Sequence, residues 1–341
     1  MAYISEPFVV KGMEVNNRIV MPPMCQFSAL AKDGMPNEWH YVHYVSRAAG
    51  GTGLIIIEMT DVEPDGRITD YDLGIWSDAH VPAFARIVKE AQKYGAKVGI
   101  QIGHAGRKAQ HVETPLAPSD LPPLDSPYPA KALTLEQTEA MVQKFQDGVR
   151  RAVEAGVDTV ELHGAHGYLI HQFHSRLTNH REDVYGQDLA RFGVEVIQAA
   201  REVMPADMPL LMRVSAIEYA DGGYDLDHML DICAKYRDAG VDVFHISTGG
   251  EGLPAGKRKP GNYPGYQIPF AREIKQALGV PVIAVGMIDD PKLAEATVAS
   301  GDADLVAIGR AMLQDPYWAL HALRDLGEQA GLIRPYAGEG W

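Results

Sequence analysis

A closed (β/α)8 barrel, of the α/β class, is the fold this sequence predicts, and three observations predict it. Short apolar, β-branched runs recur at eight places along the 341 residues, most of them nearly continuous in Val, Ile and Leu, as parallel strands buried on both faces require. Amphipathic helical patterns separate these runs, and alternation of that kind makes a parallel sheet. No Gly-x-Gly-x-x-Gly follows the first run and no break in strand order is visible, which favours closure over an open, doubly wound sheet.

The eight predicted strands cover 18–21, 53–58, 97–102, 157–162, 209–215, 241–247, 280–285 and 304–308. Between them, 81–94 sets Phe84, Ile87, Val88 and Ala91 on one helical face and stops at Gly95. The stretches 135–155 and 227–239 behave alike. Each ends in Ala-Gly-Val-Asp (155–158 and 239–242), a helix C-cap leading into the next strand. Length beyond a minimal barrel is assigned to the N-terminal segment and to loops at 110–129, 174–188 and 249–266, rich in Pro, Gly and polar residues. No linker or shift in composition marks a second domain, so 1–341 is taken as one.

Bulk properties remove several function classes. A net charge of −14 argues against a general nucleic-acid binder, because phosphate contacts need clustered cations; Lys257, Arg258 and Lys259 read as a solvated loop. The N-terminus lacks a signal-peptide pattern and the apolar runs are too short to span a bilayer. Only Cys25 and Cys233 are present, which predicts a reducing cytoplasm and no four-cysteine iron–sulfur cluster within the chain.

In a barrel the chemistry sits at the C-terminal ends of the strands. The last three ends carry Gly249 and Gly250, Gly286 and Met287, and Gly309 and Arg310. Glycines that admit backbone N–H groups, helix N-termini and an arginine together suggest a phosphate site. Arg213 interrupts an apolar strand, so it is expected at the barrel mouth facing a delocalised anion, with a strand carboxylate as the alternative partner. His163 and His166 end the fourth strand and Tyr168 follows. Three readings stand: a metal site, a core pair, or two imidazoles donating to one substrate oxygen with Tyr168 as proton donor. Glu161, near them, is expected on the opposite side of the strand from Leu162.

Taken together, Pro23-Met24-Cys25, Gly103-His104-Ala105-Gly106-Arg107-Lys108, 163–169, Arg213-Val214-Ser215 and Ile308-Gly309-Arg310 resemble the old yellow enzyme family, and within it the short, cysteine-containing bacterial subclass called thermophilic-like. The resemblance runs from Asn17 to Pro316. It implies an FMN-dependent, NAD(P)H-oxidising ene-reductase working by a ping-pong cycle on activated alkenes, α,β-unsaturated carbonyl or nitro compounds. By it, Pro22, Pro23, Met24, Cys25 and Met59 line the flavin, Gln101 meets its pyrimidine edge, Arg213 lies near N1, and 286–287 and 309–310 hold the phosphate. His163 and His166 bind the substrate oxygen, Tyr168 protonates Cα and Cys25 tunes the flavin. The resemblance also implies a homo-oligomer, dimer or tetramer.

Four departures from the subclass stand out. Phe27 replaces a tyrosine that meets the substrate, Met59 replaces a small residue, the turn 185–189 is shorter, and Glu339 stands where a partner-reaching arginine is usual, although Trp341 resembles the subclass terminus. Two other classes compete: a phosphate-binding lyase using Lys108 as a Schiff-base amine, and a flavin-binding sensor without turnover.

Overall fold

The structure is a computed structural model that describes residues 3–250 and 262–328; Lys257–Lys259, Glu339 and Trp341 lie outside the described residues. Eight parallel strands form the barrel: β1 (Ile19–Met21), β2 (Leu54–Asp61), β3 (Lys97–Gly103), β4 (Thr159–Gly164), β5 (Leu210–Ser215), β6 (Val243–Ser247), β7 (Val282–Val285) and β8 (Leu305–Ala307). Neighbours pair in sequence order, and β8 returns to β1 through Val306↔Ile19 and Ala307↔Val20, which closes the sheet. The predicted runs agree with these strands to within three residues at either end.

An outer layer of helices follows the strands: α1 (Glu38–Ala49), α2 (Val81–Lys93), α3 (Leu135–Glu154), α4 (Arg191–Val203), α5 (Leu226–Ala239), α6 (Ile268–Leu278), α7 (Pro291–Ala299) and α8 (Trp318–Asp325). Side-chain caps define the starts of α1, α3, α5 and α7. Thr134 and Gln137 form a reciprocal capping box on α3, and Asp225 accepts from His228 N–H on α5. The aspartates of the repeated Val-Asp phrase act at the bottom of the barrel. Asp158 Oδ2 accepts from Val98 N–H and Asp242 Oδ2 from Leu210 N–H, so each fixes the start of the preceding strand.

Strand alternation divides the barrel into two compartments. Outward residues such as Ile57, Ile100, Leu162 and Met212 pack with Phe84, Phe145 and Phe192 of the helices. Inward residues near the strand starts, among them Val20, Leu54, Leu211, Val243, Ile283 and Leu305, form a dry plug. Beneath it an antiparallel hairpin, Phe8–Val10 with Met13–Val15, inserts Met13 and Val15 and shuts that end.

One irregularity shapes the other end. The β2–β3 register shifts between Ile57 and Thr60. Ile57 faces the helices, and Glu58 does too, accepting from Tyr44 Oη at 2.8 Å on α1. Two successive outward residues reverse the alternation, so Met59 turns into the mouth, where it packs with Cys25 and Tyr168. Among the described residues no helix is long and apolar enough to cross a membrane.

Candidate active site at the barrel mouth

A cleft opens at the C-terminal ends of the strands. Pro22, Pro23 and Met24 after β1, Arg213 on β5, Gly286 and Met287 after β7, and Gly309 and Arg310 after β8 all line it. Gly286 holds φ +129, which a side-chain-bearing residue rarely adopts, and a Cβ there would lie 2.9 Å from Gln267 Nε2. A Cβ on Gly309 would reach into space bounded by Met24 Sδ at 3.6 Å and Pro22 Cγ at 3.8 Å. Bare backbone at both strand ends therefore keeps the cradle open beside Arg310.

Arg213 is buried, and its Nε has no hydrogen-bond partner among the described residues. The nearest interior carboxylate, Glu161, is occupied instead by Gln101 Nε2 at 2.7 Å and His245 Nδ1 at 2.8 Å. A buried guanidinium with an unsatisfied Nε–H is costly, and the Glu161 charge offsets only part of its burial, so the position suits a ligand that brings negative charge. Bare glycine backbone at two strand ends, Arg310 and an interior cation with an unsatisfied Nε–H would fit a group with a phosphate at one end and a polar, electron-accepting ring at the other. FMN is such a group.

The end of β4 and the loop after it carry His163, His166 and Tyr168, which, like Cys25, Met59 and Gln101, are not among the residues that line this cleft. The His163 ring meets the His166 ring edge-on at 5.2 Å and the Tyr168 ring at 4.8 Å. His163 Nδ1 accepts from Ala165 N–H at 3.3 Å, so the proton resides on Nε2. His166 adopts φ +60, fixed by its N–H donating to Ser215 Oγ and by Ser247 Oγ lying 2.8 Å from its Nε2. Burial, and next the Arg213 charge, hold both imidazoles well below the usual histidine range, so both are neutral at pH 7. Burial raises the Tyr168 phenol well above its ordinary value, with Cys25 and Asp72 adding to the effect; it keeps its proton. Burial likewise pushes up the Cys25 thiol, aided by Asp72, Glu58 and Asp61, so it is a neutral S–H.

Gly249 and Gly250 stand apart from the cleft's lining. A Cβ on Gly250 would collide with Gly167 N at 2.3 Å and His166 C at 2.4 Å, while Gly249 O accepts from Ser215 Oγ at 2.6 Å. Their bare backbone lets the β6 loop press against the histidine loop. Phe27 is 46% exposed with φ +50 and also lies outside the lining. Lys108 donates to the carbonyls of His166 and Gly250 and faces Asp125 at 3.3 Å, contacts that suit a charged ammonium and not a nucleophilic amine. Among the described residues no three His, Cys, Asp or Glu side chains converge on a cation position.

Ser215 and Ser247 have a place at strand ends in the sequence but no assigned role, and nothing in the sequence singles out Gln267. Gln267 accepts from Thr248 Oγ1 at 2.7 Å and donates to Val285 O at 2.9 Å, linking β6 to β7 beneath the cleft. The two serines were signalled by their place alone, as inward-facing residues at the ends of β5 and β6.

The chain is 43% identical over 324 residues to the NADPH dehydrogenase of Geobacillus thermodenitrificans (strain NG80-2), covering 94% of each chain. It superposes on morphinone reductase in complex with tetrahydroNAD with a TM-score of 0.82 at 25% identity, covering 96% of this chain and 91% of the other. With 2-naphthoyl-CoA reductase the TM-score is 0.88 at 25% identity over 96% of this chain, which spans about half (52%) of that larger chain. Residues 4–329 match the NADH:flavin oxidoreductase / NADH oxidase family, and the chain belongs to it as an FMN-dependent NAD(P)H oxidoreductase.

Proposed function

We propose that this oxidoreductase is an ene-reductase that saturates the C=C bond of α,β-unsaturated carbonyl or nitro compounds in a ping-pong cycle. The observation that carries the reading is the convergence of two neutral imidazoles and one protonated phenol, with ring centres 4.8 and 5.2 Å from His163, at the barrel mouth. Bound FMN, charged by NAD(P)H, supplies the hydride for Cβ; the remaining requirements fall to the chain's own side chains.

His163 offers Nε2–H. The Ser247 hydroxyl has two acceptors in reach, His166 Nε2 at 2.8 Å and Gln267 Oε1 at 3.3 Å; donating along the shorter contact, it leaves the His166 proton on Nδ1. Two N–H groups then hold the substrate oxygen and stabilise the charge that develops there as Cβ is attacked. Both rings being neutral, they polarise the carbonyl without protonating it. Tyr168, a phenol that retains its proton, delivers it to Cα. Lys108, with Nζ 5.8 Å from the Tyr168 ring centre, places a positive charge where the phenolate would form. Cys25 and Met59 pack with Tyr168 through sulfur and methylene groups and make that side apolar.

Separating the half-reactions by stopped flow tests the assignment. Tyr168→Phe is expected to slow reoxidation by cyclohexenone by about 10²–10⁴-fold while reduction by NADPH changes far less. A variant slowed only in its reduction by NADPH contradicts the role.

A further inference from the structure

Below the mouth lies a buried polar set that the proposed chemistry does not use. Glu161 on β4 is fully buried inside the barrel. Its Oε1 lies 2.7 Å from Gln101 Nε2 on β3, its register neighbour, and its Oε2 lies 2.8 Å from His245 Nδ1 on β6, two strands away. Arg213 stands between them, paired with His163 on one side and with His245 on the other.

A carboxylate only accepts hydrogen bonds, and that fixes the chemistry of both partners. Gln101 must turn its NH₂ toward Glu161, so its Oε1 points away and has no protein partner among the described residues. His245 must carry its proton on Nδ1, so its Nε2 is a bare lone pair; this atom is buried and unpartnered among the described residues. Burial, then the Arg213 charge, lowers the His245 pKa, in keeping with a neutral ring. The interior thus presents an acceptor on β3, with the donors of Arg213 two strands away on β5. Without Glu161 the Gln101 carboxamide could rotate and offer N–H groups instead, and the pattern would be lost.

We infer that Glu161, braced by His245, is a positioning residue that locks the Gln101 carboxamide with its oxygen toward the cleft, and so selects a ring edge that places an N–H beside a carbonyl. The pyrimidine edge of FMN has that order of groups. The inference rests on the reading of the cleft as the FMN site. His245 acts at one remove, since it touches Glu161 and not the cleft-facing oxygen of Gln101.

The test titrates apoprotein with FMN and follows flavin fluorescence, with thermal melting of each apoprotein as the folding control. Glu161→Leu is expected to weaken FMN binding by about tenfold, the scale of one hydrogen bond to a well-placed acceptor. In a Gln101→Ala background the same substitution is expected to change the affinity by less than about twofold, because the group it positions is gone. His245→Leu weakens binding in the same direction. His245→Asn, which keeps a donor near the position of Nδ1, restores it. If Glu161→Leu does not fold, the pair of His245 variants decides: equal affinities in the two overturn the inference. An effect of Glu161→Leu that persists undiminished without Gln101, or no effect in its presence, also overturns it. Failure of the unsubstituted apoprotein to bind FMN would instead overturn the cofactor site itself.

Discussion

Leu211 and Arg213 sit two residues apart on β5 and both point into the barrel, yet they belong to opposite regimes. Leu211 lies in the dry plug with Val243, Ile283 and Leu305, sealed by the hairpin. Arg213 lies in the cleft with an Nε that nothing among the described residues satisfies. One strand therefore carries a residue that stabilises the fold by burial and a residue that costs the fold stability until a ligand arrives. The closed end is packed with apolar side chains, whereas the mouth keeps a buried donor that the described residues leave unsatisfied.

Two substitutions break or sharpen that contrast. Leu211→Ala removes packed methyl groups from a site that cannot collapse easily, and the apoprotein is expected to lose about 2–5 kcal/mol in urea denaturation. FMN affinity should stay within a factor of about two. Arg213→Met should do the reverse. Replacing a buried cation whose Nε–H is unsatisfied by an apolar chain of similar length is expected to leave the apoprotein unchanged or up to about 3 kcal/mol more stable. Its FMN dissociation constant should rise by at least about tenfold, since bonds to a charged donor contribute roughly 1.5–3 kcal/mol. A large stability loss in Arg213→Met, with cofactor binding intact, would mean that the residue serves the fold.

The closed half of the molecule was the more legible in sequence. Continuous Val, Ile and Leu runs admit few alternatives, and Gly-Val-Asp marks two strand starts; the hairpin at the N-terminus, short and half exposed, gives no such signal. At the mouth, Arg213, His163, His166 and Tyr168 stood out because a polar group in an apolar run needs a reason. What stayed hidden depends on geometry across strands. The register shift in β2 is invisible in Ile-Ile-Ile-Glu-Met-Thr, yet it decides that Glu58 faces α1 and Met59 the mouth. The Gln101–Glu161–His245 set joins residues 60 and 84 positions apart, beyond any local pattern, although Glu161 was correctly placed opposite Leu162. Gly249 and Gly250 looked like phosphate glycines by position, and only the fold places Gly250 against His166.

The central claim is that the mouth joins a cofactor cradle to an alkene-activating triad, His163, His166 and Tyr168. Absorption spectroscopy of the purified protein under anaerobic conditions tests it most directly. The account predicts a bound oxidised-flavin spectrum that NADPH bleaches, and that cyclohexenone, added without oxygen, restores in full. A flavin that NADPH bleaches and that cyclohexenone leaves bleached would contradict it.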